Sequence, residues 1–268
     1  MEKLKAALER ARRARSEGIS SREPISEMAE LQTEGRSKSD HHWNALAPLV
    51  IEEKHLRQHR VVTRLAGEAA TPFDILRTKA LLKMRENGWK RLAITSPMPR
   101  SGKTTTACNL ALGLGRQRDL RSIFFDLDLR DPSAHTFFKT IPPHGIGDVL
   151  TGKVSFKDQA LRYGQNVAVS MAQKPETDPT RILLSEEAGV ALNTIEADFE
   201  PDIMIFDLPS VLVNDDTRAF LKNADCALIV TRADTTQYEQ FAACRREIEQ
   251  LTEVLGVVLN AYRHSKKT

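Results

Sequence analysis

From Pro72 onward, short and densely apolar runs alternate with stretches of helical periodicity, and this alternation constrains the fold more than any other feature of the chain. Strands are expected over residues 91–95, 122–126, 167–171, 203–207, 227–230 and 257–260. Helices are expected over 73–84, over 104–117 with Ala107, Leu110, Ala111 and Leu114 on one face, and over 237–255. A strand that is apolar throughout, rather than at every second residue, is buried on both faces, which places it in a parallel sheet between layers of helix. The expected fold class is α/β, a mainly parallel sheet covered by helices on both faces, with an N-terminal helical or disordered extension. No internal repeat interrupts the pattern.

The 268 residues suffice for one such domain with a tail and are too few for two full domains. Lys plus Arg exceed Asp plus Glu by 39 − 36 = +3, too close to neutral for a chain-wide nucleic-acid surface, so no specific nucleic-acid partner is expected. Between residues 1 and 16, Lys3, Lys5, Arg10, Arg12, Arg13 and Arg15 face only Glu2 and Glu9, with Leu4, Leu8 and Ala11 at helical spacing. Such a basic helix docks on an acidic membrane surface or a partner, or stays solvated. Residues 17–42 have the composition of a flexible linker, and His41 and His42 within it are assigned no role. Residues 43–71 carry Trp43, Leu46, Leu49, Val50, Ile51 and Leu56 and are expected to dock on the core. Residues 72–263 form the main domain, and 264–268 a basic tail.

Cys108, Cys226 and Cys244 are scattered and form no CxxC, so neither a disulfide frame nor a zinc site is indicated. No apolar run approaches the roughly 18 residues that cross a bilayer. No apolar stretch follows the basic start to make a signal peptide. The expected location is the cytoplasm, either free or peripheral at the inner face of the plasma membrane.

The chemistry concentrates between the strand at 91–95 and the helix that follows, where the chain reads Pro99, Arg100, Ser101, Gly102, Lys103, Thr104, Thr105. This is the position of a P-loop, whose backbone N–H groups and following helix N-terminus cradle phosphate oxygens. Lys103 would reach the β and γ phosphates of ATP, and Thr104 would coordinate Mg²⁺. The strict GxxxxGK[ST] pattern is not met, because Pro97 stands where its first glycine would be. The alternative is an incidental Gly-Lys-Thr in a strand–loop–helix connection.

Two further strands end in carboxylates: Asp126, followed by Asp128, and Asp207. Ligands of an open parallel sheet bind outside the carboxyl ends of its strands, so the three acids should converge on the edge that holds Lys103. Each alone could be a helix N-cap. Together they make a site for ATP and Mg²⁺, with Thr104, Asp126, Asp128 and Asp207 as metal ligands. Asn260, at the end of the last strand, could read a nucleotide base or could form a turn.

These residues together resemble the cytoplasmic domain of the bacterial tyrosine kinases (BY-kinases) of polysaccharide export, the CpsD/CapB-like group. The resemblance runs from about Pro72 to Asn260. It includes Thr95-Ser96-Pro97, Gly102-Lys103-Thr104 with Asn109-Leu110-Ala111, and Asp126-Leu127-Asp128-Leu129-Arg130-Asp131-Pro132-Ser133. It continues through Gly145 to Lys153, Asp207-Leu208-Pro209-Ser210-Val211-Leu212, and Gly256 to Asn260.

The resemblance implies a P-loop NTPase fold, γ-phosphate transfer from ATP to protein tyrosine, homo-oligomerisation, and activation by a membrane-embedded polysaccharide co-polymerase. It implies that Lys103 acts in catalysis and that Asp126 and Asp128 organise Mg²⁺ and accept the tyrosine proton. Two departures stand out. The family's C-terminal tyrosine cluster is missing, leaving Tyr163, Tyr238 and Tyr262, and the ring-forming helix of the family, Glu and two Arg at three-residue spacing, keeps only Arg77. They leave open a regulatory ATP-binding module with little kinase activity. A partitioning ATPase is a third reading, but its signature lysine is replaced by Met98.

Overall fold

A computed structural model describes residues 38–262. The chain divides into two compact units, Met1–Ala45 and Leu46–Thr268. The basic stretch at 1–16, most of the linker and the tail at 264–268 lie outside the described residues. In the first unit residues 38–45 are helical, so that helix begins inside the stretch that reads as linker.

The second unit is built on one eight-stranded sheet. Its strands are β1 (Ala47–Pro48), β2 (Arg91–Thr95), β3 (Ser122–Asp126), β4 (Leu161–Tyr163), β5 (Val167–Ser170), β6 (Ile203–Asp207), β7 (Cys226–Arg232) and β8 (Glu253–Asn260), in the order β1-β4-β5-β3-β6-β2-β7-β8. Every neighbouring pair is parallel except β4 with β5. The central strands are buried along their whole length, as their unbroken apolar runs require.

The helices are α1 (Glu53–Gln58), α2 (Thr71–Asn87), α3 (Lys103–Leu114), α4 (Ala134–Phe138), α5 (Ile146–Leu150), α6 (Phe156–Gln159), α7 (Pro179–Leu184), α8 (Glu186–Phe199), α9 (Asp216–Leu221) and α10 (Tyr238–Glu249). Successive side chains of a strand point to opposite faces. Phe124 accordingly meets Phe138 of α4, with ring centroids 5.7 Å apart, while Phe125 stacks on Phe206 at 5.1 Å and reaches Phe156 of α6 at 5.8 Å. Aromatic packing thus locks both faces of the sheet beneath the acidic strand ends, and each such ring contributes about 1.5–3 kcal/mol by leaving water.

The structure differs from the sequence reading at α10, β8, β1 and β4. The helix expected over 237–255 ends at Glu249, and the chain then turns into β8, which runs from Glu253 instead of Val257. Leu251 and Thr252 both donate their N–H to the carbonyl of Ile248, closing the turn. Pairing of Glu253 and Val254 with Cys226 and Ala227 of β7 then outweighs the modest helical preference of these residues. A register shift at Ala227/Leu228 absorbs the junction. β1 and β4 are additional strands, of two and three residues. β1 carries Pro48 at the sheet edge, where a missing N–H is tolerated. From the segment expected to dock on the core, Leu49, Ile51, Leu56 and Val61 join the buried cluster formed with α3 and the sheet.

Candidate functional site

Because β2, β3 and β6 are parallel neighbours, their carboxyl ends lie on one edge. Asp126 stands opposite Asp207 in register, and Asp207 stands opposite Ile94 of β2. Beyond Thr95 the chain enters the loop that leads into α3. Gly102 takes φ +94°, a left-handed conformation that favours glycine. A Cβ there would also lie 2.0 Å from Nδ2 of Asn260. Arg100, exposed, adopts φ +62° without being glycine. The Oγ atoms of Ser96 and Ser101 both donate to the carbonyl of Met98, at 2.8 and 2.7 Å, which folds the loop tightly where the standard pattern would use a first glycine.

α3 begins at Lys103, a buried residue whose Nζ lies 3.7 Å from Oδ2 of Asp128. Asp126 and Asp207 are fully buried. Asp126 accepts N–H bonds from Asp128 at 3.3 Å and Ala134 at 3.1 Å, yet burial and the facing Asp207 still hold its carboxyl well above the usual range. Neither oxygen of Asp207 has a hydrogen-bond partner. Burial pushes its pKa up to about 7 against the opposing pull of Lys103, and the nearby Thr104 hydroxyl favours the anion without reaching hydrogen-bond geometry. Burial also raises Asp128, again opposed by Lys103. Cys108, on the next turn of α3, is raised by its own burial and by Asp207 and Asp126.

Two buried carboxylates side by side, one without any donor, are costly unless a cation compensates them. Lys103 supplies part of that charge. The orphaned oxygens of Asp207 fit a divalent ion. Among the described residues no three His, Cys, Asp or Glu side chains form a complete metal cage. A cation here would therefore draw its other ligands from a hydroxyl, water or phosphate, as Mg²⁺ commonly does.

Thr104 and Thr105 lie in the first turn of α3, where Ser133 Oγ approaches Thr104 Oγ1 at 3.5 Å. Pro99 and Arg100 are exposed at the loop tip. Asn260 does not face outward with a free amide. Its Nδ2 donates to the carbonyl of Ser101 at 2.8 Å and its Oδ1 accepts from Ala261, so it latches the loop to β8.

Several supporting residues stand in the motifs quoted from the sequence, where they were given no role of their own. Thr95 Oγ1 donates to the carbonyl of Pro209 at 2.6 Å, and Ser96 and Ser210 share a hydrogen bond of 3.0 Å. These bind the loop after β2 to the loop after β6. The partners are 114 positions apart, and no local pattern announces them.

No family model matches the chain. It is 28% identical over 195 residues to the tyrosine-protein kinase YwqD of Bacillus subtilis, covering 72% of this chain and 81% of that one. It is 27% identical over 208 residues to the tyrosine-protein kinase CpsD of Streptococcus agalactiae, covering 76% and 88%. Of the putative tyrosine-protein kinase AmsA of Erwinia amylovora it spans 26%, at 26% identity over 190 residues and 69% of this chain.

Among solved structures, the kinase domain of the Escherichia coli tyrosine kinase ETK superposes with a TM-score of 0.69 at 25% identity, covering 76% of this chain and 79% of that one. The chimerical protein CapA2B2 gives 0.68 at 22%, covering 81% and 95%. The septum site-determining protein MinD of Pyrococcus horikoshii, solved with Mg-ADP, gives 0.55 at 18% over 66% of this chain and 72% of that one, a likeness of fold. The fold is that of the P-loop NTPases.

Proposed function

We propose that this chain, a homologue of the bacterial tyrosine-protein kinases, binds ATP with Mg²⁺ and transfers the γ-phosphate to a protein tyrosine or to water. It does so at the inner face of the plasma membrane, with a membrane-embedded co-polymerase of exopolysaccharide synthesis or export. The observation that carries the reading is the fully buried Asp207, without a hydrogen-bond donor, facing Asp126 and lying in the field of Lys103 beside a glycine-pivoted loop. Among the described residues no helix is long and apolar enough to cross a membrane.

In this reading the backbone N–H groups of Arg100 to Thr104 and the ammonium of Lys103 hold the phosphates. Thr104, Asp126, Asp128 and Asp207 would hold Mg²⁺, in part through its waters, since the three acids form no cage by themselves. When bound, Mg²⁺ neutralises charge that builds on the phosphate oxygens. Asp128 is the least enclosed of the three acids, with 15% of its side chain exposed. It takes the proton of the acceptor as the acceptor oxygen bonds to the γ-phosphorus, the bond from that phosphorus to the β-phosphate oxygen breaks, and ADP departs. Tyrosine ionises only near pH 10, so its oxygen needs such a base to become a nucleophile.

A second reading, a regulatory module that holds ATP and transfers little, is favoured by Arg77. Its guanidinium is engaged within the chain, by Asp74 and the carbonyl of Gly113. Calorimetry with and without Mg²⁺ tests the shared premise. Wild type is expected to bind ATP only with Mg²⁺, and Lys103→Ala to lose binding. Equal affinity in both proteins would remove the nucleotide assignment.

A further inference from the structure

A fully buried carboxylate stands beside the phosphate site without belonging to it. Asp216, the first residue of α9, has none of its side chain exposed. Arg130 grips it with two prongs, Nε to Oδ2 at 2.6 Å and Nη2 to Oδ1 at 3.1 Å. Thr180, in the first turn of α7, donates its hydroxyl to the same Oδ1 and accepts from Arg130 Nη2 at 3.3 Å. Three segments far apart in sequence therefore close on one carboxylate. The next residue, Thr217, donates to the carbonyl of Pro209 at 2.7 Å, the same carbonyl that receives Thr95 at the end of β2. The first turn of α9 thus holds the loop after β6 with one side chain and the loop after β3 with the other.

With Arg130 46% exposed, solvent screens the pair and its net contribution to stability is small. Its placement is the more informative property. Arg130 lies two residues beyond Asp128. The side chain of Asp128 has only long contacts of its own, 3.3 Å from the N–H of Asp131 and 3.7 Å from Lys103. Where its carboxylate sits depends on where the loop backbone sits. That backbone is pinned at Leu127 and Leu129 by Asp207 and Glu176, and beyond Leu129 the Arg130 fork is its charged tether. The two prongs of the guanidinium are both spent on Asp216, and none of its hydrogen bonds goes to Asp128.

We propose that Asp216 is a positioning residue: through Arg130 it fixes the loop after β3 and presents Asp128, unpaired with that arginine, to the phosphate site. The inference rests on the ATP·Mg²⁺ reading above. Its effect is that of an outer partner orienting a metal-binding group, which typically changes metal affinity about 10–100-fold.

The test compares wild type, Asp216→Asn, Asp128→Asn and the double variant in two measurements. The first is the Mg²⁺ concentration that half-saturates ATP binding in calorimetry. The second is backbone hydrogen exchange over residues 127–133 without ligand. Asp216→Asn is expected to raise the Mg²⁺ requirement about ten-fold and to speed exchange in that loop. In the Asp128→Asn background it should add nothing to the Mg²⁺ requirement. An unchanged requirement, or an equal rise in both backgrounds, overturns the proposal, because Asp216 would then act independently of Asp128. Should Asp216→Asn not fold, Thr180→Val removes one hydroxyl from the same carboxylate, and a smaller change of the same kind is expected; no change overturns the proposal. If wild type does not bind ATP at all, the nucleotide reading fails, and unchanged exchange in the ligand-free loop would separately overturn the role of Asp216.

Discussion

Asp207 is the residue on which the site's energetics turn. Its folded pKa of about 7 stands against roughly 3.9 for an unfolded aspartate, so between those values the native state holds a proton that the unfolded state has released. Stability of the ligand-free protein is then greatest below about pH 4 for this group. It falls as the pH rises towards 7, and flattens above, by on the order of 4 kcal/mol at most. Asp207→Asn should lose that slope: its thermal midpoint, measured without nucleotide or divalent ions from pH 5 to 8, should fall less steeply than that of wild type. Parallel curves would mean that the carboxyl ionises without penalty. Gly102 gives a second prediction at this scale. Gly102→Ala should weaken ATP binding at least ten-fold in calorimetry, because the added Cβ strains φ +94° and meets Asn260 Nδ2; affinity equal to wild type would show that the loop does not need the left-handed turn. The convergence of Asp126 and Asp207 on the edge that carries Lys103 was legible in the sequence, since the carboxyl ends of parallel strands share one edge. The latch from Asn260 was not, because its partner Ser101 lies 159 positions away and a strand-end asparagine has several ordinary roles.

At the scale of elements, the strands that read most clearly were those buried on both faces. β3 and β6 are apolar to the last residue before the acid, and only a parallel central strand needs that. β4, three half-buried residues, and β1, two exposed ones, carry no period long enough to register. The end of α10 was misplaced because Val254 and Leu255 continue a helical pattern until sheet pairing captures them. Asn109 shows how an element is tied to what precedes it. Its Oδ1 accepts the N–H of Val62, its Nδ2 donates to the carbonyls of Arg60 and Thr105, and its own carbonyl receives the Thr63 hydroxyl. The helix that carries Lys103 thereby holds residues 60–63 against itself. Asn109→Ala removes three hydrogen bonds to part-buried backbone groups and should cost about 1 kcal/mol or more in denaturant unfolding. A loss below a few tenths would show that water replaces the amide without penalty.

At the scale of the whole molecule, the question is whether one copy can serve as acceptor for another. The arginine that matches the ring-forming helix of the resembled family is turned inward: Arg77 is 12% exposed, and Asp74 also receives two bonds from Arg116, at 2.8 and 3.0 Å. Of the described tyrosines, Tyr163 is half-buried and raised by that burial, while Tyr238 and Tyr262 are 76% and 59% exposed. Tyr262 follows β8 by two residues, and β8 is latched to the loop before α3 through Asn260, so its reach beyond the strand end is short. Within one chain, β8 lies four strand spacings from β3, about 19 Å at roughly 4.8 Å each, which sets Tyr262 well apart from the loop that carries Asp128. Between chains, a tethered phenol cannot enter a neighbour's site as a free tail would. The isolated protein incubated with labelled ATP and Mg²⁺ should therefore carry little phosphotyrosine when its sites are mapped, and should turn ATP over slowly until a membrane partner is added. Stoichiometric phosphate on Tyr262 in the isolated protein would overturn this expectation and the regulatory reading with it, and would make the chain a self-phosphorylating kinase.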